Sequence, residues 1–229
     1  MENSKPVYAR STVVQDYHLP IDGEISSDVS KYHEHLQIMR TATENDNIHI
    51  HINSGGGAVL TAMQYVNAMN ASNAQITAYI EGQCASAATF IFLAASEWVV
   101  YPHSQTMIHN YSAWTGGMGN EGIEHAEAVR TMCRELATEM YTGFLTEDEL
   151  SQVMEHNKTF WMTGTEVGER ICAYADYRQE SMNRMIREQQ LAQSRAALPS
   201  LLKHPAIIEE LASNGFLKVS TVVPGEKNQ

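Results

Sequence analysis

At 229 residues, with 43% apolar and 18% charged side chains, the chain has material for one compact domain plus an appendage, and it is too apolar for global disorder. Its formal net charge of −12 argues against wholesale nucleic-acid binding, which needs a basic face. The three cysteines (Cys84, Cys133, Cys172) are odd in number and lack CxxC spacing, so free thiols in a reducing compartment fit better than a disulfide framework. The longest apolar run, near Ala85 to Ala95, is interrupted by Ser86 and Thr89 and falls short of a membrane span. The first residues, Met-Glu-Asn-Ser-Lys-Pro, lack the basic start and apolar core of a secretory signal, and the chain reads as cytosolic.

Residues 1–16 form a polar N-terminal segment without usable pattern. Tyr17 to Ile25 reads as a short strand closing on Gly23, and Ser26-Ser-Asp28 offers a cap for a helix over about 29–43. Ile48, Ile50 and Ile52 alternate with His49 and His51, the mark of a strand with one apolar face. That strand runs into Asn53-Ser-Gly-Gly-Gly57 and a helix over about 58–69. Three glycines between strand and helix permit close backbone approach and leave N–H groups free. A phosphate cradle is the rival reading, but no lysine follows at Walker spacing.

A second strand-turn-helix unit runs from Ile76 to Phe92, with Gly82 and then Ser86 at the turn. A serine there sits among unpaired N–H groups at the positive end of a helix, where a developing oxyanion is favoured. An ordinary serine N-cap fits the same local pattern. Two short extended segments follow, Trp98–Pro102 and Thr106–His109, the second presenting an imidazole at the end of an apolar strand. His109 is one of ten histidines, so its position alone decides nothing. After Gly116-Gly-Met-Gly119, apolar residues Ile123, Val129, Met132, Leu136 and Met140 recur at helical spacing over about 121–142. Thr146 starts another helix, and Thr163 or Thr165 caps one more.

Composition changes after Tyr177: residues 177–203 hold five basic and two acidic side chains, a net of +3. A helix from Gln179 to about Ala197, a break at Pro199 and a short helix ending at Asn214-Gly215 are expected there, with a frayed end beyond. The alternation of strands and helices over 17–176 implies an α/β domain, followed by a helical extension over 177–229.

Three blocks resemble the proteolytic subunit of Clp protease, ClpP, in order and spacing: Ile52-Asn-Ser-Gly-Gly-Gly57, Gly82-Gln-Cys-Ala-Ser86-Ala, and Met107-Ile-His109. The family's corresponding blocks read INSPGG, GQAAS and MIHQP. Leu19-Pro-Ile-Asp-Gly23 and Trp161-Met-Thr-Gly-Thr-Glu166 extend the likeness over about 17–176. The resemblance implies a crotonase-like α/β spiral, assembled as stacked heptameric rings, that hydrolyses polypeptide without a cofactor or a metal. It implies Ser86 as nucleophile, His109 as general base, and the N–H groups of Gly57 and Ala87 as oxyanion hole. The helix from Glu121 corresponds to the handle that interlocks two rings.

The chain departs from that pattern in three respects. The family's triad aspartate is absent: counting back from Trp161 puts Thr159 in its place, and counting forward from Leu150 puts Asn157 there. His49 and His51 stand where the family has aromatics that line the docking pocket of its AAA+ ATPase, which puts that partner in doubt. Zinc on these two would need a third ligand, and none is evident in the sequence. The extension after Tyr177 has no counterpart. The readings are therefore a serine endopeptidase, a catalytically impaired scaffold or regulatory subunit of the same fold, and a dedicated head-maturation-type protease. An acyl-CoA enzyme of the crotonase type would leave the Ser86–His109 pair without purpose.

Overall fold

The structure, a computed structural model, describes residues 13–111 and 120–201, together with positions 206, 209, 210, 213 and 214. The N-terminal segment before residue 13, the glycine-rich stretch at 116–119 and most of the expected helix before Gly215 lie outside the described residues. The chain divides after Asp176 into two compact units, Met1–Asp176 and Tyr177–Gln229.

The first unit is an α/β structure. Its sheet contains β1 (Asp16–Ile25), β2 (Asn47–Gly57), β3 (Gln75–Ala85), β4 (Glu97–Val100), β5 (Gln105–Ile108) and β6 (Phe160–Thr163). The strands run in the order β1-β2-β3-β5-β6, with β4 also paired to β3. All pairings are parallel except β5–β6. The helices are α1 (His33–Thr41), α2 (Val59–Asn70), α3 (Ala87–Ala94), α4 (Asn120–Tyr141), α5 (Glu147–His156) and α6 (Gly164–Leu201).

The alternation in β2 does what its period dictates: Ile48, Ile50 and Ile52 are fully buried, while His49 and His51 take the opposite face. Ile76, Ala78 and Ile80 repeat the pattern on β3, and α3 is buried at every position, so the core lies between the sheet and α2–α3. One topological detail sets the site. The first part of β3 pairs with β4 (Thr77–Ile80), and its last residues pair with β5 (Gln83–Ala85). The end of β3 and the end of β5 are thereby laid side by side.

Three expectations need correction. β1 does not close on Gly23; it continues to Ile25 through a register shift between Asp22 and Glu24, with Gly23 at φ +73°, as a glycine bulge permits. The expected helices after Thr163 and from Gln179 are one helix, α6, which runs past Pro199 to Leu201. Residues 165–198 contain Gly168 but no proline, and helix propagation is cooperative, so a change in charge composition does not interrupt it. Pro199 falls in the last turn, two residues before the helix ends, so few helical bonds lie beyond it.

The apolar stripe of α4 is also divided. Cys133, Leu136 and Met140 are buried within this chain, whereas Ile123 is 61% exposed. At the start of α6, Thr163 and Glu166 bond each other's backbone N–H groups. Arg170 of α6 grips Glu149 of α5 with two hydrogen bonds of 2.7 and 2.8 Å, which holds the pKa of that carboxyl at about 2. In the second unit, Met182, Met185, Ile186 and Leu191 are exposed on α6.

Candidate active site

Ser86 sits between the last residue of β3 and the first of α3 with φ 54° and ψ −125°, a region that side-chain-bearing residues rarely adopt. Neighbours on every side hold this backbone. Its N–H donates to the carbonyl of Met107 (2.8 Å), and its carbonyl accepts from the Thr89 N–H (3.0 Å) and hydroxyl (2.6 Å). The Thr89 hydroxyl also meets the buried Tyr141 hydroxyl at 2.8 Å. The serine makes no side-chain cap to α3, so the N-cap reading fails. Its Oγ lies 2.7 Å from Nε2 of His109. Both residues are half-buried, and partial desolvation lowers the imidazole's pKa below the ordinary histidine value. A neutral ring at pH 7 presents Nε2 as an acceptor for the serine proton.

The glycine run packs against this turn. A Cβ on Gly56 would lie 2.6 Å from the Ala85 carbonyl oxygen and 2.7 Å from the Ser86 Cβ, and Gly56 has φ +93°. Gly57, at φ +142°, abuts the backbone of Ile25 on β1. Ala87 begins α3, so its N–H has no helical acceptor.

The other side of the imidazole is different. Among the described residues, Nδ1 of His109 has no hydrogen-bond partner. Asn157, at the left-handed C-cap of α5 (φ 53°), receives a hydrogen bond from Asn110 instead, at 2.8 Å. Thr159 is exposed, and the β5–β6 register (Ile108 opposite Phe160), continued by one residue, sets it across from His109.

A family model described as Clp protease matches residues 2–169. The chain belongs to the Clp protease family. Its relatives are distant. An ATP-dependent Clp protease proteolytic subunit of Chlorella vulgaris is 28% identical over 95 residues, covering 41% of this chain and 47% of the relative. The subunit of the same description from Pleurastrum terricola is 29% identical over 104 residues, with 44% and 53% covered. Proteolytic subunit 1 of Corynebacterium jeikeium is 27% identical over 153 residues, with 65% and 78% covered. The chain thus spans about half the length of the first relatives it matches.

Within this Clp protease frame, two cavities flank the Ser86–His109 pair. One, of about 530 Å³, is apolar, with Val29, Val59, Leu60, Val129 and Met132 in its walls and Gly57 at its edge. It shares Val59, Tyr111 and Cys133 with the small pocket that holds Ser86 and His109. The other, of about 490 Å³, is polar and includes Asn110, Arg130, Arg134, Glu155 and Asn157.

Sequence reasoning missed Gly56, because a run of three glycines does not say which one touches the serine turn. It also missed Asn110, Thr89 and Tyr141, whose roles depend on contacts between residues far apart in sequence. Cys84 is fully buried, and burial pushes its thiol pKa far up, which suits a small apolar filler.

On the outer sheet face, His51 Nδ1 donates to Glu81 (2.7 Å), and its Nε2 therefore accepts from His18 Nδ1 at 2.9 Å when the ring is neutral. His49 pairs with the Tyr79 hydroxyl at 3.0 Å. Among the described residues, no three His, Cys, Asp or Glu side chains converge on a metal position.

Proposed function

We propose that this chain is a serine-type endopeptidase that cleaves polypeptide through an acyl-enzyme at Ser86. The observation that carries the reading is the 2.7 Å contact between Ser86 Oγ and His109 Nε2 at a strained strand-to-helix turn. His109 Nε2 takes the serine proton as Oγ attacks the scissile carbonyl carbon. The resulting oxyanion is stabilised by the N–H groups of Gly57 and Ala87. His109 then returns the proton to the departing amine, the C–N bond breaks, and an ester remains on Ser86. Water, deprotonated by the same nitrogen, hydrolyses the ester and restores both residues. The apolar cavity beside the pair suits an apolar substrate side chain next to the scissile bond.

In this reading the protein acts as a homo-oligomer, built as stacked rings in the manner of its family, and the exposed Ile123 end of α4 is available for subunit contact. The polar, histidine-bearing outer face differs from the family's aromatic docking pocket, which argues against docking of an ordinary AAA+ ATPase loop there. One observation favours the second reading, an impaired or dedicated subunit: the unpartnered Nδ1 of His109 among the described residues. An acid at that nitrogen fixes the tautomer and stabilises the imidazolium, and its loss costs about 10⁴ in kcat in serine proteases.

The test is hydrolysis of fluorogenic peptides by the full chain and by Ser86→Ala. The substitution removes one oxygen and should reduce the rate by roughly 10³-fold or more while leaving the assembly intact. Equal rates in the two proteins would overturn the reading.

A further inference from the structure

Resting on the serine-peptidase reading above, we infer that Asn110 is a positioning residue that restrains the base in place of the missing carboxylate. It does so from the backbone side, by tying the end of β5 to the C-terminus of α5.

The Asn110 carboxamide is almost fully committed. Its Nδ2 donates to Asn157 Oδ1 at 2.8 Å and to the Met154 carbonyl at 3.3 Å, and its Oδ1 accepts from the Tyr111 N–H at 2.9 Å. Those partners fix the amide orientation: the reverse one would aim Oδ1 at two carbonyl oxygens and a donor at an N–H. The anchor points are themselves held by the end of α5. Met154 lies in the last turn of α5, where carbonyls have no helical donor, so Asn110 satisfies a group that would otherwise be orphaned. Asn157 is held at φ 53° by its own N–H bond to the Gln152 carbonyl. Asn110 directly follows His109, so a tie at this residue fixes the Cα from which the imidazole swings.

A carboxylate on Nδ1 would restrain the ring directly, from the side away from Ser86. Here the ring is aimed by its tether, and its Nε2 already meets Ser86 at 2.7 Å. The arrangement also engages Asn157 Oδ1 in the tie, 47 residues along the chain from Asn110.

The experiment measures kcat and KM for peptide hydrolysis by the full chain as wild type, Ser86→Ala, Asn110→Ala, Asn157→Gly, the Asn110→Ala/Asn157→Gly double variant, and Asn157→Asp. Glycine accepts the left-handed conformation, so Asn157→Gly removes the carboxamide without straining the turn. Asn110→Ala and Asn157→Gly should each lower kcat roughly tenfold with KM within about twofold, because loosened aim costs rate rather than binding. The double variant should match Asn110→Ala, since both changes break one tie. Asn157→Asp should keep the wild-type kcat, because a carboxylate oxygen accepts the same N–H. A wild-type kcat in Asn110→Ala, or single effects that multiply in the double variant, would overturn the inference alone. Hydrolysis that survives Ser86→Ala would instead overturn the peptidase reading beneath it.

Discussion

On its Nε2 side, His109 meets a serine whose backbone is held by Met107, by Thr89 and, through Thr89, by Tyr141, with Gly56 packed against its Cβ. On its Nδ1 side it meets no acceptor among the described residues, and the two positions where an acid was expected hold an exposed threonine and an asparagine bonded elsewhere. The serine side draws on β3, α3, β5 and the glycine run, so its geometry follows from the fold itself. The Nδ1 side depends on a single side chain in the segment between α5 and β6. A serine–histidine contact set by backbone packing keeps its shape without an acid beside the imidazole. In the proposed reading, what such a pair lacks is electrostatic support for the imidazolium.

The largest expected effect lies on the built side. Gly56→Ala would force a Cβ to within 2.6 Å of a backbone oxygen at φ +93°. Hydrolysis should fall below detection, and the fold should lose about 1–3 kcal/mol, read as a lowered denaturant midpoint. A variant with wild-type rate and stability would mean that the serine turn tolerates movement, and the contrast between the two sides would collapse.

A smaller effect, of opposite sign, is expected on the open side. Thr159→Asp sets a carboxylate across from His109 and should raise kcat roughly tenfold, whereas Asn157→Asp should leave it within about twofold. Improvement from Asn157→Asp alone would reverse the assignment of positions.

The smallest effect is a pH shift. Burial lowers the pKa of His109 below its ordinary 6.5, and the reaction needs the neutral ring, so activity should rise with pH through an apparent pKa below that value. The carboxylate introduced by Thr159→Asp favours the imidazolium and should move that acid limb to higher pH. An acid limb above 6.5 in the wild type would point to a different base.

Much of this geometry was legible in the sequence because it is local. The alternation at 48–52 marks β2, and the run from Ile76 through Ser86 reads directly as strand, turn and helix. His109 lies two residues beyond Met107, whose carbonyl receives the Ser86 N–H, so strand pairing carries the imidazole to the serine. What was not legible depends on register between distant segments. Whether Thr159 or Asn157 faces the base turns on the antiparallel pairing of β5 with β6, which motif counting leaves open by two residues. The Asn110 tie spans 44 and 47 residues and has no local signature. The join at residues 176–179 reads as a boundary because the charge changes there. Helix propagation responds instead to backbone propensity, and that segment contains neither glycine nor proline.

In the proposed reading, Ser86 is an activated nucleophile despite the open side of its base. Reaction of the full chain with a fluorophosphonate, followed by mass spectrometry of its peptides, tests this without requiring a known substrate. The expected result is a covalent adduct on Ser86 that forms much more slowly in His109→Ala. A folded protein that shows no adduct at Ser86, or labels there at the same rate without His109, would contradict it.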